Sequence, residues 1–311
     1  MHTAHPTAQD DSPLGAESYG FVGLGHQGAP IVRLCAAGGL RPTVYDLRAD
    51  RLEQIRPAGV DVASSLSDLG SRVSIVSVCV FSDDDVRTVV AGPGGLLETM
   101  GRGGLIVIHS TCSPGTCAEL AELARQRGLA LLDAPVSNGA RDESGRGLVV
   151  LVGGDPAELR RCESIFGLFA HTVLHTGEVG SAQLLKLLNN AVFIVHRAAT
   201  ADALRAAGEL GLDSDRVRLA LQACSASARA LPPSNRPLGR PGGPPLPALA
   251  ALLTKDLTLL DTALAGAGED AGQLAALARQ ALDILLDPRA VPSTGTGPGT
   301  PPRLAQAEVP A

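Results

Sequence analysis

The stretch Tyr19-Gly-Phe-Val-Gly23-Leu-Gly25-His-Gln-Gly28 decides how the rest of the chain is read. Tyr19 to Val22 form a short apolar run, the glycines recur as GxGxxG, and residues 29 to 37 carry a helical pattern. A strand that feeds a glycine-rich turn into a helix is the context in which this spacing binds a dinucleotide. Gly23 permits the tight turn, Gly25 lets the backbone approach a diphosphate, and Gly28 lets the helix pack closely on the strand. The helix N-terminus offers N–H groups to the anion. Leu24, His26 and Gln27 complete the turn and with it the candidate cofactor-binding set. The next strand, PTVYD, ends at Asp46, 23 residues after Gly23. A carboxylate there accepts hydrogen bonds from an adenosine ribose diol and repels a 2'-phosphate, which favours NAD. Arg48, two residues on, is placed to reach a 2'-phosphate, so NADP stays open.

Outward from this turn, apolar runs alternate with helical stretches as far as residue 178: VSIVSVCVF, LIVIHST, LALLDAPV and LVVLVGG follow in order. Such alternation predicts a mostly parallel sheet covered by helices, a Rossmann-type doubly wound domain over residues 19–178. Beyond 178 the strand signals cease. Residues 179 to 208 run without proline and with apolar residues on nearly every face, which predicts one long buried helix. Further helices are expected over 214–229, 246–266 and 270–286, divided by the proline-rich segment 231–245. The fold class is therefore α/β followed by an all-helical domain at 179–287. Residues 1–18 and the Pro/Gly/Thr-rich 288–311 read as flexible tails.

The 311 residues are 45% hydrophobic and 19% charged, enough for two cores, with only five Phe, two Tyr and no Trp to fill them. Aliphatic side chains and alanine must do the packing. A net charge of −6 and scarce aromatics argue against a nucleic-acid partner. The six cysteines form no CxxC pair, so reduced thiols and no metal site are expected. No signal peptide and no run of 18 apolar residues is visible, which leaves a cytoplasmic protein without membrane contact as the expectation. Only two lysines, Lys186 and Lys255, stand among 26 basic residues. An ammonium can be tuned to release its proton where a guanidinium cannot, so both positions invite a chemical reading.

Four blocks, in order, carry a resemblance to the β-hydroxyacid dehydrogenase family: GFVGLGHQG at 20–28, DAPVSNGARDESGRGLVVLVGG at 133–154, GSAQLLKLLNN at 180–190 and KDL at 255–257. This family includes 3-hydroxyisobutyrate dehydrogenase and tartronate semialdehyde reductase. The resemblance implies NAD(P)-dependent, reversible hydride transfer at the β-hydroxyl, or semialdehyde, of a small carboxylic acid, in a site between the domains. It implies that Lys186 is the catalytic acid or base, that Asn190 assists it, and that Ser137, Asn138 and Gly139 hold the substrate carboxylate. Thr111 is implied near the nicotinamide, Lys255 as a further cofactor contact, and a homo-oligomer as the assembly.

The residues make independent sense of part of this. Gln183, Lys186 and Asn190, three and four apart, share one helix face, and polar groups on a buried helix need partners that a bound ligand would supply. A base within reach of the carbinol hydroxyl is required, and Lys186 qualifies if burial or a nearby cation, Lys255 for instance, lowers its pKa. The plain alternatives are a snorkelling Lys186, a helix-surface Lys255–Asp256 pair, and a turn at Ser137. His109 also reads as a base, but its place at the end of an apolar strand favours a satisfied core imidazole. Asn138, Asp142 and Arg146 depart from the small residues usual in the family's second block, and Phe81 stands where a proline often begins a cofactor-contacting loop. Two other readings differ in kind: an imine reductase acting on a larger substrate, which Lys186 argues against, and a non-catalytic dinucleotide-binding scaffold.

Overall fold

The computed structural model describes residues 17–138, 147–226, 245–265 and 272–286. Most of the expected tails, residues 139–146 and most of the 231–245 segment therefore lie outside the described residues. The chain divides into two compact units, residues 1–188 and 189–311.

In the first unit, strands β1 (Tyr19–Val22), β2 (Thr43–Tyr45), β3 (Asp61–Val62), β4 (Ile75–Val78), β5 (Leu105–Ile108) and β6 (Ala130–Asp133) pair in parallel in the spatial order 3-2-1-4-5-6. This is the doubly wound order, and it reverses between β1 and β4. The carboxyl end of β1 therefore opens at a switch point, where ligands of such sheets bind. Beyond β6 the sheet changes direction: β8 (Leu148–Gly153) runs antiparallel to it, and β8 pairs with β7 (Val136–Asn138) and β9 (Ala170–Gly177). Strands β3, β7 and β9 lack the long apolar runs that mark the others, and the sequence pattern does not single them out.

Side chains alternate across the sheet and divide the core in two. Phe21, Ile75, Leu105 and Val107 pack on one face with α1 (Gly28–Ala37) and α7 (Pro156–Phe166). Val22, Val76, Val78, Ile106 and Ile108 pack on the other with α3 (Leu66–Arg72), α4 (Asp83–Ala91) and α6 (Pro114–Gln126). Strands buried on both faces carry near-continuous apolar runs, which is why they are legible in the sequence. The few aromatics are concentrated: Phe21, Phe166 and Phe169 surround the ring of His109 at centroid distances of 5.9–6.2 Å.

Helix α8 (Ser181–Glu209) begins in the first unit and ends in the second. The second unit adds α9 (Ser214–Ala223), α10 (Leu246–Leu264) and α11 (Gln273–Leu286). Leu253, Leu257 and Leu260 of α10 and Ala278, Leu282 and Leu285 of α11 are buried at helical spacing, and the two helices pack on each other. The expectation that α8 is buried on all sides is corrected. Leu184, Leu185, Val192 and Phe193 each keep more than a third of their surface exposed, because the apolar pattern spans more of the helix than its neighbours in one chain cover. No helix among the described residues is long and apolar enough to cross a membrane.

Candidate active site

The glycine-rich turn is shaped by backbone contacts that leave no room for side chains at two of its glycines. Gly23 has φ of +95°, and a Cβ there would lie 2.3 Å from the carbonyl oxygen of Cys79. A Cβ at Gly28 would lie 2.0 Å from the carbonyl oxygen of Gly23 and 2.9 Å from the Phe21 ring. Gly25 differs: among the described residues a Cβ would meet only Arg51 Nη1, at 3.9 Å. Its open side is what a ligand approaching the backbone requires. The side chain of Gln27, the N-cap of α1, makes no capping hydrogen bond, and the first turn of the helix carries no acidic residue. The helix end thus keeps its partial positive charge for an anion, so turn and helix together fit the diphosphate of a dinucleotide. Leu24 is buried in the core, while His26 is exposed and Gln27 half-buried.

Asp46 is buried, and its carboxylate is already engaged. Oδ2 accepts the N–H of Leu24 at 2.7 Å and Arg51 Nη1 at 3.2 Å, and Oδ1 accepts the N–H of Arg48 at 2.8 Å. The carboxylate therefore ties the glycine turn to the end of β2. Arg48, the side chain the sequence offers to a 2'-phosphate, is exposed and paired with Asp50 at 2.7 Å. Arg51, which sequence reasoning passed over, is the arginine that reaches both Asp46 and the open side of Gly25. Its signal was helical: it lies three residues beyond Arg48 in α2 (Ala49–Ile55).

At the end of β5 the chain turns through His109, Ser110, Thr111 and Cys112. The His109 ring is fully satisfied in the core. Nδ1 lies 2.7 Å from the carbonyl oxygen of Ala134 and therefore carries the proton; Nε2 then accepts from Ser77 Oγ at 3.0 Å, which in turn accepts from Tyr19 Oη. Burial drives its pKa down to about 4. His109 is thus a structural imidazole. Thr111 is half-buried, flanked by groups that are firmly held: Ser110 Oγ accepts the N–H of Val80 at 2.8 Å, and Asp83 Oδ2 accepts the N–H of Ser113 at 2.9 Å.

The sequence reading of Gln183 as a ligand-facing amide is corrected. Gln183 is fully buried, and protein backbone satisfies it: Nε2 donates to the carbonyl oxygen of Ser110 at 2.8 Å, and Oε1 accepts the N–H of Cys112 at 3.1 Å. The backbone of the same turn is anchored by Asp133, whose carboxylate accepts the N–H groups of Gly180 at 2.8 Å and Gln183 at 2.9 Å. Burial pushes the Asp133 carboxyl above the ordinary range against the opposing pull of these amides. Asp133 went unassigned in the sequence, although a carboxylate closing an apolar strand is itself a signal, since a buried charge needs partners.

Lys186, half-buried, follows Gln183 by three residues on α8. Ser137 is half-buried in β7, Asn138 ends that strand, and Gly139 lies outside the described residues with Asp142 and Arg146. Phe81 is exposed in the loop after β4. In the second unit, Asn190 Nδ2 donates to Asp256 Oδ2 at 2.7 Å, and Lys255 Nζ lies 3.5 Å from Asp256 Oδ1. Asp256 is 2% exposed, so the helix-surface reading of the Lys255–Asp256 pair does not hold. All six cysteines are free thiols, and no cluster of three metal-ligating side chains occurs among the described residues.

Comparison with known proteins agrees with this geometry. A family model described as the NAD binding domain of 6-phosphogluconate dehydrogenase matches residues 18–177, and one described as NAD-binding of NADP-dependent 3-hydroxyisobutyrate dehydrogenase matches 180–287. An uncharacterised oxidoreductase of Mycobacterium tuberculosis is 36% identical over 213 residues, 68% of each chain. The mitochondrial 3-hydroxyisobutyrate dehydrogenase of Rattus norvegicus is 31% identical over 62% of this chain and 58% of that enzyme. Among solved structures, the 3-hydroxyisobutyrate dehydrogenase of M. tuberculosis with L-serine superposes with a TM-score of 0.71 at 28% identity, covering 86% of this chain and 92% of that one. With the doubly wound order, the glycine cradle and a helical C-terminal unit in place, the chain belongs to the β-hydroxyacid dehydrogenase family of NAD(P)-dependent oxidoreductases.

Proposed function

We propose that the protein interconverts the β-hydroxyl group and the semialdehyde of a small carboxylic acid, with Lys186 as the proton-transferring group. The nicotinamide, when bound, takes or supplies the hydride. Hydride departs from a carbinol carbon only as the hydroxyl proton is removed, so a group that accepts that proton must lie within hydrogen-bond reach. The observation that carries the assignment is the mounting of Lys186. It follows by one turn the residue that grips the Thr111 turn, on a helix whose end is fixed by Asp133. Asn190 is proposed to assist the lysine and Thr111 and Lys255 to contact the cofactor, while Ser137, Asn138 and Gly139 receive the substrate carboxylate. 3-Hydroxyisobutyrate and L-serine, named for two of the similar proteins, share a hydroxyl on the carbon β to a carboxylate, and that unit defines the substrate class.

NAD is the proposed cofactor over NADP, because a carboxylate just beyond the second strand, here Asp46, favours a ribose diol and repels a 2'-phosphate. The exposed apolar side chains of α8 support a homo-oligomeric assembly, which light scattering on the purified protein tests.

The functional test is turnover of NAD and, separately, NADP with a panel of β-hydroxy acids and their semialdehydes, using Lys186→Ala as the control. Loss of turnover by about 10³-fold or more, with cofactor affinity kept, is the expected result. A Lys186→Ala variant that turns over at the wild-type rate would remove the lysine from the chemistry. A variant that loses cofactor binding as well would assign it a structural part instead.

A further inference from the structure

We infer that Gln183 is a positioning residue that holds the nicotinamide end of the cofactor site in register with the lysine helix. The inference rests on the proposed parts of Thr111 and Lys186. Its own evidence is a clasp: one buried primary amide takes hold of the backbone on either side of Thr111, donating to Ser110 O at 2.8 Å and accepting from Cys112 N–H at 3.1 Å. The partners fix which end of the amide is which, because a carbonyl oxygen can only accept and an N–H can only donate.

Among side chains of this length, only the primary amide serves both bonds without taking up a proton. Glutamate keeps the acceptor and loses the donor, methionine keeps the volume and loses both, and asparagine is one methylene short. The backbone of Gln183 is itself fastened, its N–H held by Asp133 Oδ2 at 2.9 Å. The chain from Asp133 through the first turn of α8 to the Thr111 turn is thus continuous through buried hydrogen bonds, and Lys186 projects from the next turn of the same helix. Hydride transfer is sensitive to displacements of a fraction of an ångström, and a shared mount for the nicotinamide neighbour and the proton-transferring lysine limits such displacement.

The consequence is selective. Releasing the clasp disturbs the site at Thr111, on the turn after β5, and leaves the glycine cradle on β1 and α1 intact. The test therefore compares two ligands in the full chain, NADH and ADP-ribose, the latter lacking the nicotinamide ring; if the wild type prefers NADPH, the 2'-phosphorylated pair replaces them. In Gln183→Met, NADH affinity is expected to fall about tenfold while ADP-ribose affinity stays within twofold, a difference of about 1.4 kcal/mol. In turnover, kcat falls about tenfold or more, and the isotope effect with 4-deuterated NADH rises as hydride transfer becomes limiting. Gln183→Glu, which keeps side-chain size and one of the two bonds, gives a smaller change in the same direction and carries the test if the methionine variant does not fold. Equal losses for the two ligands, or no loss for either with kcat at the wild-type level, would overturn the inference. The ligand comparison needs no substrate, so a protein inactive on every β-hydroxy acid but showing the differential loss defeats the proposed reaction and leaves the clasp standing.

Discussion

Two helices of this chain begin beside the sheet, and their N-termini are treated in opposite ways. At α1 the N-cap side chain, Gln27, makes no capping hydrogen bond, no acidic residue occupies the first turn, and the open side of Gly25 lies just ahead. At α8 a buried carboxylate, Asp133, accepts the N–H groups of Gly180 and Gln183. The same backbone dipole that is kept for a ligand's phosphate at one end is neutralised by the protein's own charge at the other. An open terminus is a receptor; a closed one is a mount. The difference fits the proposed division of labour, with the dinucleotide at α1 and the side chains proposed to act on the substrate on α8.

The largest effects expected are at the glycines of the open end, and they divide by position. Gly28→Ala drives a methyl group to 2.0 Å from a carbonyl oxygen and should cost roughly 3 kcal/mol or more of stability, or prevent folding. Gly25→Ala meets no atom of the described residues closer than 3.9 Å, so it should unfold at the wild-type temperature yet lose at least about tenfold in cofactor affinity, since the methyl group would occupy the proposed approach of the diphosphate. Thermal unfolding with and without cofactor separates the two. If Gly25→Ala binds cofactor normally, the open side is not where the phosphate rests.

At the closed end, Asp133→Ala should cost roughly 2–4 kcal/mol by leaving buried N–H groups of Gly180 and Gln183 without their charged acceptor. Urea unfolding measures it, and a stability unchanged within about 0.5 kcal/mol would mean that α8 does not depend on this cap. ADP-ribose binding should survive the substitution, because the glycine cradle owes nothing to Asp133. A joint loss would erase the distinction between the two ends.

The open end was legible in the sequence because its parts are local. Gly23, Gly25, Gly28 and Asp46 lie within 24 residues, and each has a spacing that only one backbone arrangement explains. The doubly wound order followed from apolar runs long enough to be buried on both faces. The closed end was not legible to the same degree. Gln183 was read as facing a ligand because a polar residue on an apolar helix demands a partner, and helical spacing cannot say that the partners are the backbone of Ser110 and Cys112, more than 70 residues earlier. Asp133 opens a block whose other residues carry the family resemblance. In the sequence Asp256 stands out only as the companion of Lys255, although it is the more deeply buried of the two and meets Asn190 across 66 residues. Short β3 and β7 escaped for a related reason: their pairing comes from the strands beside them rather than from their own composition.

The effect that builds most gradually, with pH rather than at a single substitution, tests the support behind the closed end. His109 closes β5 and donates from Nδ1 to Ala134, the residue after Asp133, so its ring backs the turn that Gln183 grips. Burial holds its pKa at about 4, below the ordinary 6.5. The folded protein therefore binds this proton less readily than the unfolded chain does. The stability at stake is fully present above pH 6.5, falls as pH drops from about 6.5 towards 4, and levels off below. Within that window the slope should be on the order of 1 kcal/mol per pH unit. Other groups titrate over the same range, so the informative quantity is the difference between the wild type and His109→Gln, whose amide can keep a donor towards Ala134 but carries no titrating charge. A difference that grows on acidification in favour of the variant identifies the imidazole as a neutral structural group. A flat difference would mean that the ring accepts its proton in the folded state, and that the support behind Thr111 loosens before the protein unfolds.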